Sequence, residues 1–371
     1  MPVALASVLG LSAWAVYTGE PVGLVEADSA VEENNETAEA PEAAEESKPN
    51  IEIIATGGTI AAVGDERTDL ADYTAGEIEI NELIEKVPEL NDIANVTGQD
   101  FTGVSSNDID NDILLGLAQE VNEQLASDDT DGVVITHGTN TLEETAYFLN
   151  LVVDSEKPVV MVGAMRPDTA MGADGELNLY NAVLLAGHEE AKDRGVMISQ
   201  NDRIGSARDV TKTSTMHIDT FESEEMGNLG SIIDGEPRFY TETTKKHTTD
   251  SVFDVSDLEE LPQVDILYTH QSDSSYLYDA VVEADIDGIV IAGAGNGGLS
   301  TNAREGAETV AASGIDVVRS SRTGSGIVTP EDDSEFMTAD TLNPVKARIL
   351  LTLALTETDD QEQIQEYFNE Y

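Results

Sequence analysis

Short apolar runs recur along the chain from residue 50 onward, separated by longer stretches whose apolar side chains return every three or four positions. Runs at residues 51–55, 132–136, 158–162, 195–199, 264–269, 288–292 and 314–318 have the length and β-branched character of strands. Stretches at residues 110–127, 142–153, 178–194, 274–284, 301–313, 344–356 and 360–368 carry helical spacing. Alternating strands and helices predict an α/β fold with a mainly parallel sheet, whose strands are apolar on both faces because helices cover both. Residues 241–261 are polar and acidic without clear periodicity, and Pro262 opens a fresh strand–helix series. The expectation is therefore two α/β domains. A larger N-terminal one spans residues 50–243, a linker residues 244–263, and a smaller C-terminal one residues 264–371.

Residues 2–17 are apolar and small, but shorter than the roughly 20 residues a membrane span needs. With Ala13-Trp14-Ala15 as a small-x-small site, residues 1–25 read as a signal peptide or anchor, although no Lys or Arg precedes Lys48. Residues 26–49 are rich in Ala and Glu and too polar to offset their ordering entropy, so a disordered acidic linker is expected. The Asn35-Glu36-Thr37 sequon carries meaning only if the chain is exported.

Charge changes the picture further. The chain has 18 Lys+Arg against 74 Asp+Glu, a net charge of −56. Such a surface repels nucleic acid and anionic membranes, and it repels itself unless salt screens it. It reads as the surface of a halophile's protein. There is no cysteine, which removes disulfides and thiolate chemistry, and the five histidines lie at least 23 residues apart, so no zinc-ligand spacing exists.

Candidate chemistry sits where two apolar runs end. A-T-G-G-T-I-A at residues 55–61 and T-H-G-T-N-T at residues 136–141 are turns that each present a threonine beside glycine. Strand carboxyl ends are where α/β sheets bind ligands, and a hydroxyl becomes a nucleophile when a base takes its proton. Thr59 and Thr139 are therefore candidate nucleophiles, with a tight structural turn and a helix N-cap as the plain alternatives. No Gly-Lys-Ser/Thr follows the first turn, as a phosphate loop would require. Lys212, one of only eight lysines, lies in D-V-T-K-T and is either a surface cation or a base whose pKa burial lowers. Residues 293–298, G-A-G-N-G-G, match a dinucleotide fingerprint with Asp316 downstream, and belong to the second series rather than to a full nucleotide-binding fold.

Taken together, these motifs resemble the bacterial-type, exported (type II) L-asparaginases from about residue 50 to residue 371. The two threonine turns, K-P-V-V-M-V-G-A-M-R-P at residues 157–167, D-V-T-K-T at 209–213, T-L-N-P at 341–344 and Y-F-N-E-Y at 367–371 follow the family's order. The resemblance implies hydrolysis of L-asparagine to L-aspartate and ammonia without cofactor or metal. It implies a nucleophile at Thr59, a flap tyrosine at Tyr73, and a second hydroxyl–base pair in Thr139 and Lys212. Ser106 and Asn107 would hold the substrate's α-carboxylate, and the Ala164 carbonyl its amide nitrogen. Asn296 and Glu331 would enter from a neighbouring subunit of a homotetramer. The family carries aspartate where this chain has Asn140, and commonly glutamine where it has Asn107. The first substitution removes a charge expected to hold the α-ammonium, which leaves open a raised KM or an amino-acid-binding relic. Glutaminase–asparaginase activity is a same-class alternative. A tRNA-dependent amidotransferase subunit fits poorly with an acidic extension and a charge of −56.

Overall fold

The computed structural model describes residues 47–371 except 72, 75, 285 and 332–335. The expected signal or anchor and the sequon lie outside these residues, as does most of the expected linker. Lys48 and Pro49 are already tied to the folded part, through the Asn95 N–H to the Pro49 carbonyl (2.8 Å) and the Lys48 ammonium to the Asn91 carbonyl (2.5 Å).

The large sheet is built from β1 (Asn50–Ala55), β2 (Asn95–Asp100), β3 (Gly132–Thr136), β4 (Val159–Val162), β5 (Val196–Gln200), β6 (Arg203–Ser206), β9 (Gly230–Ile233) and β10 (Glu236–Phe239). Its order is β10-β9-β6-β5-β4-β3-β1-β2. The five strands from β5 to β2 are parallel, and β6, β9 and β10 extend the sheet antiparallel. Two two-residue strands, β7 (Thr211–Lys212) and β8 (Phe221–Glu222), form a separate ribbon. The smaller sheet, β11 (Val264–Tyr268), β12 (Gly288–Gly293), β13 (Asp316–Ser321) and β14 (Met337–Thr338), is parallel throughout. This is the expected two-part α/β architecture with a mainly parallel larger sheet.

Helices fill the layers between and outside the sheets. They are α1 (Ile80–Lys86), α2 (Leu90–Ile93), α3 (Asn111–Ala126), α4 (Leu142–Val152), α5 (Gly175–Ala186), α6 (Tyr276–Ala284), α7 (Thr301–Ala312), α8 (Pro344–Glu357) and α9 (Gln361–Glu370). Strand alternation sorts the apolar side chains. Ile51 and Ile53 of β1, Val134 of β3 and Val160 of β4 pack with α1, α2 and α5. Ile54, Val133, Ile135 and Met161 pack on the other face with α3, α4, α8 and α9, and the same cluster takes Val264, Val290 and Val318 from the small sheet. Ile289, Ile291 and Val317 point away, to α6 and α7. The order is thus helices, sheet, shared helices, sheet, helices, and the polar segment at 240–263 separates two sheets that enclose one common core.

Helix α5 ends eight residues before the expected 194, at Ala186; Gly187 follows as its cap and lies against Pro49, where a Cβ would meet Pro49 Cγ at 2.7 Å. The fingerprint at residues 293–298 is a closed turn, not a helix entrance: Ala294 and Gly298 exchange both backbone hydrogen bonds (2.9 and 2.8 Å), and α7 starts only at Thr301, capped by Ser300. Asp316 opens its strand rather than ending it. Both features remove the dinucleotide reading.

Candidate active site

Register places the two threonine turns side by side. β1 and β3 are hydrogen-bonded neighbours with Ala55 opposite Thr136, and the Thr56 N–H donates to the Thr136 carbonyl at 3.0 Å. Both strands therefore deliver their turns at the same edge. The first turn is made by Gly57 and Gly58 at φ 95° and 90°, a region closed to ordinary side chains. Any Cβ on Gly58 would sit 2.4 Å from Gly138 Cα, and one on Gly138 would sit 2.7 Å from the Ser106 side chain. Glycine thus lets three backbone segments touch and brings Thr59, Thr139 and Ser106 around one opening.

Each threonine has its own proton partner. Thr59 Oγ1 shares a hydrogen bond of 2.9 Å with the Tyr73 hydroxyl. Lys212 Nζ donates to Thr139 Oγ1 at 2.9 Å and to Asn140 Oδ1 at 2.9 Å. Burial pushes the Lys212 pKa down, and the Glu143 carboxylate works in the opposite direction. Asn140 Nδ2 donates to Asn107 Oδ1 at 3.3 Å, which fixes which way the Asn140 amide faces. Thr139 is not a helix cap: the cap position of α4 is Thr141, whose hydroxyl donates to the Ser106 carbonyl at 2.6 Å.

These groups line a cavity of about 230 Å³ formed by Gly58, Thr59, Leu70, Ala71, Tyr73, Ser105, Ser106, Gly138, Thr139, Asn140, Met165, Lys212, Thr215 and Met216. That is smaller than the roughly 300–1,000 Å³ of drug-sized sites and suits a small molecule. Among the described residues no Asp or Glu lines this cavity, although the chain carries 74. Asn107 stands one hydrogen bond behind the lining. Ala164 is fully buried beside it, with Met165 at the wall. Asn296 and Glu331 line no part of the cavity within one chain. Asn296 is paired with Thr329 (2.7 and 2.8 Å), and Glu331 bridges Arg319 (2.7 Å) and Arg304 (3.1 Å), which hold its pKa down.

Two buried neighbours of these groups escape sequence reasoning. Glu143, in the first turn of α4, accepts from Thr211 Oγ1 (2.8 Å), the Lys212 backbone N–H (3.1 Å) and Asn343 Nδ2 (2.9 Å). His137 is completely buried, its Nδ1 bonded to the Gly138 carbonyl (2.7 Å) and its Nε2 to Thr145 (2.9 Å), and burial pushes its pKa down to about 4. Among the described residues no three His, Asp or Glu side chains converge as metal ligands would, and no helix is long and apolar enough to cross a membrane.

Comparison with known proteins agrees with this arrangement. The family model for the asparaginase N-terminal domain matches residues 50–245, and that for the glutaminase/asparaginase C-terminal domain matches residues 263–368. L-asparaginase 2 of Bacillus subtilis is 57% identical over 326 residues, covering 87% of each chain. L-asparaginase 2 of Escherichia coli is 49% identical, covering 87% of this chain and 93% of its own. The crystal structure of a probable cytoplasmic L-asparaginase from Campylobacter jejuni superposes with a TM-score of 0.86 at 47% identity, over 87% of this chain and all of its own. With two threonine–partner pairs at the ends of adjacent strands and family models spanning both sheets, the chain belongs to the bacterial-type (type II) L-asparaginase family.

Proposed function

We propose that this chain hydrolyses L-asparagine to L-aspartate and ammonia through a covalent intermediate on Thr59. The observation that carries the reading is the convergence of two threonine hydroxyls, each hydrogen-bonded to a distinct proton carrier, on one small cavity. Thr59 Oγ1 adds to the side-chain amide carbon while its proton passes to Tyr73. The amide C–N bond then breaks, the nitrogen takes a proton and leaves as ammonia, and an ester to Thr59 remains. Water adds to that ester with Thr139 and Lys212 handling its proton, and aspartate departs with Thr59 restored. Half-burial that favours the neutral amine suits Lys212 to accept a proton. In this reading Ser106 and Asn107 receive the α-carboxylate, and the Ala164 backbone carbonyl accepts from the amide nitrogen.

The cavity is completed, in this reading, by Asn296 and Glu331 of a neighbouring copy in a homotetramer, which mass measurement in solution would test. The domain limits at 50–243 and 264–371 and the absence of a cofactor belong to the same proposal. A surface charge of −56 supports salt adaptation, and the apolar run at residues 2–17 supports export. A second reading, broader action on glutamine, is favoured by a relative named glutaminase-asparaginase, from Acinetobacter glutaminasificans, which is 44% identical over 332 residues. The deciding experiment is ammonia release from L-asparagine and L-glutamine in molar KCl. Folded protein that releases none from asparagine overturns the proposal, and comparable kcat/KM values for both substrates select the second reading.

A further inference from the structure

We propose that Glu143 is the positioning residue of the Lys212–Thr139 pair, holding the strand that carries Lys212 and supplying the negative charge that position 140 lacks. The inference rests on the function proposed above. Glu143 is buried, and its carboxylate accepts three hydrogen bonds. Oε1 accepts from the Thr211 hydroxyl and the Lys212 N–H, so it fixes β7 against the start of α4, only four residues beyond Thr139. Oε2 accepts from Asn343 Nδ2, and Asn343 Oδ1 in turn caps α8 by accepting from the Lys346 N–H at 3.0 Å. Lys346, fully buried with its pKa pushed down to about 8, holds its ammonium 3.9 Å from Oε2 while donating to the carbonyls of Arg208 (2.8 Å) and Val210 (2.6 Å). The C-terminal part of the chain thus reaches under the lysine through two side chains.

Electrostatics gives this geometry a direction. Lys212 faces the neutral Thr139 and Asn140 on one side, and Glu143 is the charge that favours its ammonium. Glu143 itself faces Lys212, Lys346 and Glu144, and Lys346 also faces Asp209 and Arg208. Removing the Glu143 charge should leave burial unopposed and lower the Lys212 pKa. Neutralising Lys346 should free more of the Glu143 field for Lys212 and raise it.

The test is the pH dependence of kcat/KM for asparagine in molar KCl, in the wild type, Glu143→Gln, Glu143→Asp and Lys346→Met. Glu143 touches Lys212 through its backbone, so the effect should fall below the roughly one to three units of a direct charge pair. Expected is a limb displaced by about half a unit to lower pH in Glu143→Gln. The wild-type position should return in Glu143→Asp despite a lower kcat, and the displacement should reverse in Lys346→Met. A Glu143→Gln enzyme that loses rate equally at every pH has lost only a structural strut, and this overturns the proposal. If Glu143→Gln does not fold, an unmoved limb in Lys346→Met overturns it instead. Wild-type turnover with an unmoved limb sinks the role of Glu143 alone, whereas absence of wild-type turnover removes the proposed function and this inference together.

Discussion

Replacing Asn140 by Asp tests the reading of the cavity most directly. The Asn140 amide is oriented by its neighbours: its oxygen accepts from Lys212 Nζ at 2.9 Å, and its nitrogen donates to Asn107 Oδ1 at 3.3 Å. A carboxylate would turn the first contact, and the proposed contact with the substrate's α-ammonium, into charge-assisted hydrogen bonds. Such bonds contribute about 1.5–3 kcal/mol, against about 0.5–1.5 kcal/mol for neutral ones. The second contact would become oxygen against oxygen, relieved when the Asn107 amide turns over and gives up its 3.4 Å bond to Ser105 Oγ. That bond is long, so its loss offsets at most about 0.5 kcal/mol. A net gain near 1 kcal/mol corresponds to a roughly fivefold higher kcat/KM for L-asparagine, expressed mainly in KM. Because the site is recessed, molar salt should weaken this gain without erasing it. The assay compares L-asparagine with succinamic acid, the same amide without the ammonium, in wild type and Asn140→Asp. Asparagine should gain and succinamate should not. Equal gains for both, or no gain for asparagine, would refute the placement of the ammonium at residue 140.

Other outcomes follow from the same geometry. Gly58→Ala puts a methyl group 2.4 Å from Gly138 in a backbone region open only to glycine, so it should cost more than about 2 kcal/mol and abolish turnover. Gly227→Ala, with positive φ but open space around it, should cost only about 1 kcal/mol; equal losses in melting temperature would refute the backbone contact. His137 has a folded pKa near 4, below the unfolded value of 6.5, so the unfolded chain binds more protons between those limits. Stability should therefore fall as pH drops from about 6.5 to 4, by up to roughly 3 kcal/mol from this residue. Denaturation midpoints of His137→Gln should fall less steeply over that range than those of the wild type, and parallel curves would exclude the effect. Finally, the melting temperature should climb between about 0.1 and 1 M KCl as the Debye length shrinks from about 10 to 3 Å; a flat profile would end the salt-adaptation proposal.

Parallel strands buried on both faces were legible because each is a continuous apolar run, as V-V-I in β3 and V-V-M-V in β4 illustrate. The strand β2 was not, because it forms the sheet edge and reads N-V-T-G-Q-D with half its residues exposed or nearly so. The antiparallel extension β6-β9-β10 is built from four-residue strands that contain glycine or proline; two-residue turns join β5 to β6 and β9 to β10, and only β6 finds its partner β9 across a longer separation. At the site, Thr59, Tyr73, Thr139, Lys212 and Ser106, which lie far apart in sequence, line one cavity. Glu143 gave no local sign: two glutamates in a first helical turn are ordinary, and the three donors to Glu143 come from residues 211, 212 and 343. A buried carboxylate is defined by tertiary contacts, which no window of sequence contains.

The shared core bears on how the polypeptide is made. Helix α8 supplies Leu350, Leu351 and Leu353 to the cluster that covers α4 and the inner face of the large sheet. A ribosome that has just released residue 245 has delivered every strand of that sheet together with α3 and α4, but not α8 and α9, which arrive about one hundred residues later. Until then the nascent N-terminal half presents Tyr147, Phe148 and Leu151 to solvent or to a chaperone, so assembly of the site should await emergence of the last two helices.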